Sequence, residues 1–284
     1  MDDISIVIPA KNEAAGLESF LANLTEAYPK AEIIIVDDGS TDNTTDICLE
    51  NGVKLISHPY SMGNGAAIKT GARAATGDVI VFMDADGQHK PEDVEKLLKG
   101  IDEGYDMVVG ARDSQSQASM GRAIANNFYN KLATFVVNHK VEDLTSGFRA
   151  VKREKFLEFI HLLPNGFSYP TTSTMAFFRA GYPVSYVPIS AKERIGKSHI
   201  KILRDGFRFV MIIFKICTLY SPLKLFVPIS AILFMAGMSY YMYTFITAGR
   251  FTNMSATILS ASLLVFLVGL VSEQITSLIY QKSG

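Results

Sequence analysis

Asp84 and Asp86 stand two residues apart at the end of an apolar run, in the stretch DVIVFMDADGQHKPED from Asp78 to Asp93. If an extended strand runs through both, their carboxylates project to the same side. Two like charges held together repel and raise a pKa unless a cation lies between them. A hard divalent ion such as Mg²⁺ or Mn²⁺ takes oxygen ligands and usually keeps substrate phosphates in its shell. The pair therefore reads as a seat for such an ion. His89 is a further candidate ligand, although its place near Pro91 suits it to ordering the turn.

The elements that must position these carboxylates follow from the pattern around them. Short apolar runs, ISIVIP, AEIIIVDD, VKLIS, DVIVFMDAD and DMVVGAR, alternate with helical stretches at Glu13–Ala27, Asn43–Asn51, Asn64–Ala75 and Pro91–Glu103. Apolar strands separated by helices imply an α/β domain whose mostly parallel sheet is covered on both faces. Ligands of such sheets bind beyond the carboxyl ends of the strands. Four polar clusters fall there: PAKNE, DDGSTD, DADGQH and GAR. DDGSTDNT would also cap the helix that starts near Asn43. Four clusters on one edge exceed what capping requires and describe a site.

The 284 residues allow one substantial domain and an appendage, and a net charge of −1 gives no ground for a nucleic-acid partner. Cys48 and Cys217 lie far apart in apolar surroundings and fit inert thiols in a reducing compartment. The acidic start MDDISIVIPAKNE shows no secretory leader. Leu225–Ala248 and Asn253–Ser272 hold no charged residue, and each is close to the ~20 apolar residues of a spanning helix. With a mean hydropathy of +0.20, they read as a membrane hairpin. Ahead of it, Ala191–Lys215 carries seven Lys/Arg against two acidic residues. Ile200, Leu203, Phe207, Val210 and Phe214 recur there at helical spacing, as in a helix lying in the membrane interface; a helix covering the globular domain fits the pattern too. The positive-inside rule puts the N-terminal domain on the cytoplasmic side, most simply of a prokaryotic plasma membrane. The divisions expected are 1–190 for the catalytic domain, 191–222 for a basic loop and interfacial helix, and 223–284 for the hairpin.

Together IVIPAKNE, IIIVDDGSTDNT, GNGAAIKTGARAATGDVIVFMDADGQHKPE, VVGAR and DLTSGFRA resemble the family 2 inverting nucleotide-sugar glycosyltransferases of GT-A (Rossmann-like) fold, nearest the dolichol-phosphate mannose synthase-like and bacterial polyprenyl-phosphate branch. The resemblance covers about Ile4 to Lys201. It implies a metal-dependent membrane glycosyltransferase that moves a sugar from a nucleotide sugar to a polyprenyl phosphate. By position, Pro9, Ala10, Asn12, Glu13, Val36, Asp37, Asp38 and Gly63 would line the nucleotide-sugar pocket, with Asp84, Ala85 and Asp86. Relatives often place an aromatic or another base-stacking residue at Lys11. The resemblance makes Asp86 the foremost ligand of Mg²⁺ or Mn²⁺, with Gln88 beside it and Asp84 near the ribose or the metal. Arg112 matches a phosphate-facing arginine.

A polyprenyl monophosphate, with a second pKa near 6, arrives as an anion and needs cations rather than a general base. Arg122, Arg149, Arg194, Lys197 and Ser198 are the candidate cradle; Arg122 and Arg194 match basic positions of the lipid-phosphate branch. Where close relatives carry an acidic residue, SYPTTSTMAF at Ser168–Phe177 has only hydroxyls. They would face the sugar, or belong to an ordinary capped, partly buried helix. Glu273 in the second apolar run is costly at depth, so it belongs near the interface or beside a partner, and the hairpin is a possible route to a homo-oligomer. Two other classes of function remain on the sequence: a family 2 enzyme with a hydroxyl acceptor and Asp143 as its base, and a non-catalytic membrane scaffold.

Overall fold

The computed structural model describes residues 3–112, 120–166, 168–189, 214 and 217–281, with the side chains of 120–126, 280 and 281 excepted. Backbone contacts divide the chain into two compact units, Met1–Phe135 with His139–His199, and Val136–Asn138 with Ile200–Gly284.

The first unit opens with five strand–helix repeats. They are β1 (Ile4–Ala10), α1 (Ala14–Ala27), β2 (Glu32–Asp37), α2 (Thr44–Glu50), β3 (Lys54–Ser57), α3 (Asn64–Ala74), β4 (Val79–Phe82), α4 (Pro91–Asp102), β5 (Met107–Arg112) and α5 (Met120–Val137). β6 (Arg149–Lys152), α6 (Arg153–Glu158), α7 (Tyr169–Arg179) and β7 (Val184–Ile189) follow. The sheet order is β3-β2-β1-β4-β6-β5-β7. β6 runs antiparallel to both neighbours and the other pairs are parallel, so the mostly parallel sheet expected from the strand pattern is present. Every residue of β4 is buried, as a strand covered on both faces requires. α4 shows how local chemistry starts a helix here. Pro91 occupies its first turn with Glu92 and Asp93, and Val94, Leu97 and Ile101 turn inward.

β4 ends at Phe82, although Met83 still donates its N–H to the Val7 carbonyl. The expectation that an extended strand carries both carboxylates is therefore corrected. Asp84–Gly87 forms a turn, and Gly87 takes φ +68°, which favours glycine.

In the second unit α8 (Pro222–Ala248) and α9 (Asn253–Gln281) form an antiparallel pair joined at Gly249, whose φ is +60°. Two 27-residue spans, Pro222–Ala248 and Asn253–Ile279, have mean hydropathies of 1.6 and 2.3, long and apolar enough to cross a membrane. Within the pair, Ser262 donates its hydroxyl proton to the Ser230 carbonyl at 2.8 Å. A Cβ on Gly269 would stand 2.6 Å from that of Phe226, a small-residue close approach typical of membrane helices. Glu273 accepts the N–H of Leu223 at 3.3 Å, so its carboxylate faces the N-terminus of α8, where a negative charge is favoured. Of the residues expected in the interfacial helix, Ile200, Leu203, Phe207 and Val210 fall outside the described residues.

Candidate active site

β6 lies between β4 and β5, so the tips of those two strands are separated by two strand spacings, about 10 Å. A cavity of about 610 Å³ opens at the sheet's carboxyl edge. Asp84, Ala85, Asp86 and Gln88 from the turn after β4 line it, and so does Arg112 at the end of β5. Pro9, Ala10, Lys11 and Glu13 follow β1; Asp38 follows β2; Ser61, Gly63, Asn64 and Ala67 come from the approach to α3.

The turn after β4 is held from two sides. Asp86 Oδ1 accepts the N–H of Gln88 at 3.2 Å. The Asp84 carboxylate lies against Gly147, where a Cβ would stand 3.0 Å from Oδ2. Gly16 in α1 packs on the same turn, and a Cβ there would collide with the Ala85 carbonyl oxygen. We expect Gly16→Ala to displace the turn and lower activity about a hundredfold, because a shift near 1 Å disturbs positioned groups that much. Activity within threefold of wild type would show that the turn tolerates the displacement.

Two carboxylates and an amide oxygen suit a hard divalent ion that takes its remaining ligands from a substrate diphosphate. Among the described residues no group of three or more His, Cys, Asp or Glu is placed to hold a metal by itself. His89 is buried and stacked on Phe148, with ring centroids 4.4 Å apart. Burial pushes its pKa down to about 4, so the ring is neutral near pH 7, and it does not line the cavity.

Arg112 is fixed by Asp143. Its Nε donates to Oδ2 at 2.8 Å and one terminal nitrogen to Oδ1 at 3.1 Å, with Thr145 Oγ1 accepting at 2.8 Å. Asp143 also accepts the N–H groups of Thr145 and Ser146. Burial alone would push its pKa up, but the Arg112 guanidinium and these donors hold it below the usual carboxylate range. A carboxylate so engaged is a poor proton acceptor, which removes the support for Asp143 as a general base. Arg112 also borders a second cavity, of about 700 Å³, with Asn127, Asn130, Lys131 and Thr134 of α5 and Lys140.

Arg149 departs from expectation. It is 0% exposed, and one terminal nitrogen donates to the Pro170 carbonyl, Ser173 Oγ and Thr174 Oγ1 at 3.0, 2.9 and 2.9 Å. The other donates to the Ser146 carbonyl. With no terminal nitrogen exposed it cannot belong to an acceptor cradle. The same bonds decide the role of the α7 hydroxyls. Ser173 and Thr174 solvate a buried cation, and Ser168 caps the helix by accepting the N–H of Thr171. Arg149→Ala leaves several buried acceptors unpaired, so we expect it to destabilise the first unit by about 3 kcal/mol or more. Thermal unfolding in detergent reads this; an unchanged Tm would contradict it.

Asn12, Val36 and Asp37 do not line the cavity. Asn12, at φ +53°, accepts the N–H of Thr41 at 2.7 Å. Asp37 accepts the N–H of Ser40 at 2.9 Å, and Val36 is a buried strand residue. Asn12 and Asp37 hold the loop after β2. The N-cap residue of α2 is Asn43, which makes no side-chain cap; Asp42 before it accepts the N–H of Thr44 at 3.1 Å. Ser61, Asn64 and Ala67 escaped the sequence reading because their only signal was a generic glycine loop. Arg194, Lys197, Ser198 and the side chain of Arg122 lie outside the described residues.

The model of the family described as Glycosyl transferase family 2 matches residues 5–159, and that of the GtrB C-terminal hairpin matches residues 221–278. A dolichyl-phosphate hexose transferase of Haloferax volcanii is 30% identical over 219 residues, covering 76% of this chain and 94% of that protein. A polyprenol monophosphomannose synthase of Mycolicibacterium smegmatis is 30% identical over 205 residues, covering 66% and 77%. Among solved structures, glucosyl-3-phosphoglycerate synthase of Mycobacterium tuberculosis, in complex with Mn²⁺, UDP-glucose and phosphoglyceric acid, superposes with a TM-score of 0.63. It is 23% identical, over 76% of this chain and 80% of that one, a likeness that speaks for the fold.

Proposed function

The chain belongs to glycosyl transferase family 2, and on that premise we propose that it transfers a sugar, with inversion, from a GDP- or UDP-linked donor to a polyprenyl monophosphate at a membrane. The observation that carries this reading is one cavity with Asp84, Asp86 and Gln88 on one wall and the anchored Arg112 on another. The pairing suits a diphosphate leaving group: oxygen ligands on one side and a fixed cation on the other.

Asp84, Asp86 and Gln88 would hold Mg²⁺ or Mn²⁺, which when bound neutralises charge on the departing nucleoside diphosphate. Arg112, braced by Asp143, stabilises the same developing charge without having to reorganise. Pro9, Ala10, Glu13, Asp38, Gly63 and Ala85 bound the space for the nucleotide sugar. An already anionic phosphate acceptor needs no deprotonation, and the engagement of Asp143 favours such an acceptor over a hydroxyl. Arg122, Arg194, Lys197 and Ser198 form the proposed acceptor cradle. Catalysis on the cytoplasmic face follows from the basic residues ahead of the hairpin; protection of the first unit from protease in inside-in spheroplasts, lost on lysis, is the expected result. Association through the hairpin is expected to give a species larger than the monomer in mild detergent, read by light scattering.

Labelled nucleotide sugars supplied with Mn²⁺, with and without polyprenyl phosphate, test the reaction. Label entering the organic phase only with the lipid phosphate, and blocked by chelator, is the expected outcome. Transfer to a hydroxyl acceptor instead would overturn it.

A further inference from the structure

We propose that Tyr169, which does not line the cavity, is a positioning residue for Asp84 and acts on it through the backbone of Gly147. This deepens the reading above and rests on its metal-binding part. Phe82, the last residue of β4, pairs with Arg149 across the antiparallel β4–β6 ladder. Carried two residues past the ladder, that register sets Asp84 opposite Gly147. A Cβ on Gly147 would stand 3.0 Å from Asp84 Oδ2 and 3.1 Å from Oδ1. The bare glycine backbone is thus the floor on which the carboxylate lies.

Tyr169, in the first turn of α7, fixes that floor. The residue is buried, and its hydroxyl donates to the Gly147 carbonyl at 2.8 Å. Its ring meets Phe82 edge-on, with centroids 5.9 Å apart. One side chain therefore holds both the strand that leads into Asp84 and the peptide on which the Asp84 carboxylate rests.

The arginine wall is pinned separately. Arg149 donates to the Ser146 carbonyl, and the N–H of Ser146 goes to Asp143, which anchors Arg112. Loss of the Tyr169 hydroxyl releases Gly147 and with it Asp84, while Arg112 keeps its own supports. A group one step behind a metal ligand sets that ligand's orientation, and its removal costs about 10- to 100-fold in metal affinity. Gly147 carries this effect to Asp84, so the loss should appear only when the metal is present.

The test is calorimetric binding of UDP and of GDP to the full chain in detergent, each with Mn²⁺ and again with chelator. Tyr169→Phe keeps the ring and its packing on Phe82. It is expected to weaken binding with Mn²⁺ about tenfold and to leave binding under chelator within about twofold of wild type. Asp84→Asn should also weaken binding with Mn²⁺, and adding Tyr169→Phe to it should cost less than about twofold more. Tyr182→Phe is the control: it deletes another hydroxyl bond, to Glu158 at 2.6 Å, at a residue that does not line the cavity, and should change neither measurement. Unchanged binding in Tyr169→Phe, an equal loss with and without metal, a full further loss in the double variant, or the same loss in Tyr182→Phe would overturn the role of Tyr169 while the metal reading stands. So would an Asp84→Asn variant that binds like wild type with Mn²⁺. Wild type that gains nothing from Mn²⁺ with either nucleotide would overturn both.

Discussion

Asp86→Ala is expected to lower sugar transfer about a thousandfold, near 4 kcal/mol in the barrier, with the fold intact. Asp86 is half-buried in a turn beyond the end of β4, so its removal opens no core cavity, and a stability change within about 1 kcal/mol is expected. The loss falls on chemistry, because the variant leaves one carboxylate and an amide where two carboxylates faced Arg112. Mn²⁺-dependent binding of the nucleotide should weaken in parallel. Far-UV circular dichroism and Tm report the fold, and transfer of label reports the activity. A variant that keeps turnover within tenfold of wild type, with the same metal dependence, would remove Asp86 from the metal site.

The second large effect is expected at Asp143. Asp143→Ala strands the Arg112 guanidinium in a partly buried site and unpairs the N–H groups of Thr145 and Ser146. Breaking a buried pair in this way costs about 3–5 kcal/mol. Transfer should fall about a hundredfold, because Arg112 loses its orientation. Anchor and base are separated by a double-mutant cycle. If Asp143 acts through Arg112, adding Asp143→Asn to Arg112→Ala changes transfer little further; additive losses would restore Asp143 as a base.

The pH dependence gives a second readout. Asp143 has a lowered pKa in the fold, so its stabilisation is in force above the ordinary carboxylate pKa of about 4 and fades as pH falls through the lower folded value. Between pH 6 and 8 it stays ionised, and no limb of the activity profile in that range is expected from it. A base titrating there would produce one.

Much of the site was legible because parallel strands announce themselves. β1, β2, β4 and β5 are apolar runs that end in polar clusters, and their carboxyl ends must converge on one edge. Pro9, Ala10, Glu13, Asp38, Asp84, Asp86, Gln88 and Arg112 all reached the cavity. What stayed hidden depended on partners distant in the chain. Arg149 looked like a free cation because its acceptors, Pro170, Ser173 and Thr174, belong to α7, 21 to 25 residues further along the chain. Asp143 looked like a base because the arginine that claims it stands 31 residues earlier. β6 itself is four residues with a basic residue at each end, a pattern with no apolar alternation to mark a strand.

The antiparallel seat of β6 also sets an order of events during synthesis. β4 and β5 emerge one after the other, yet neither pairs with the other; each waits for Arg149–Lys152. Until those residues leave the ribosome, both strands offer bare edges, the condition that invites pairing with another chain. The carboxylate wall and the arginine wall thus come into register in one late step, when β6 inserts. Since α8 begins only at Pro222, that step can precede synthesis of the hairpin. A nascent chain halted after β7 already contains every strand of the sheet, whereas one halted before β6 holds the four strands β3-β2-β1-β4 and a lone β5 with nothing to join them.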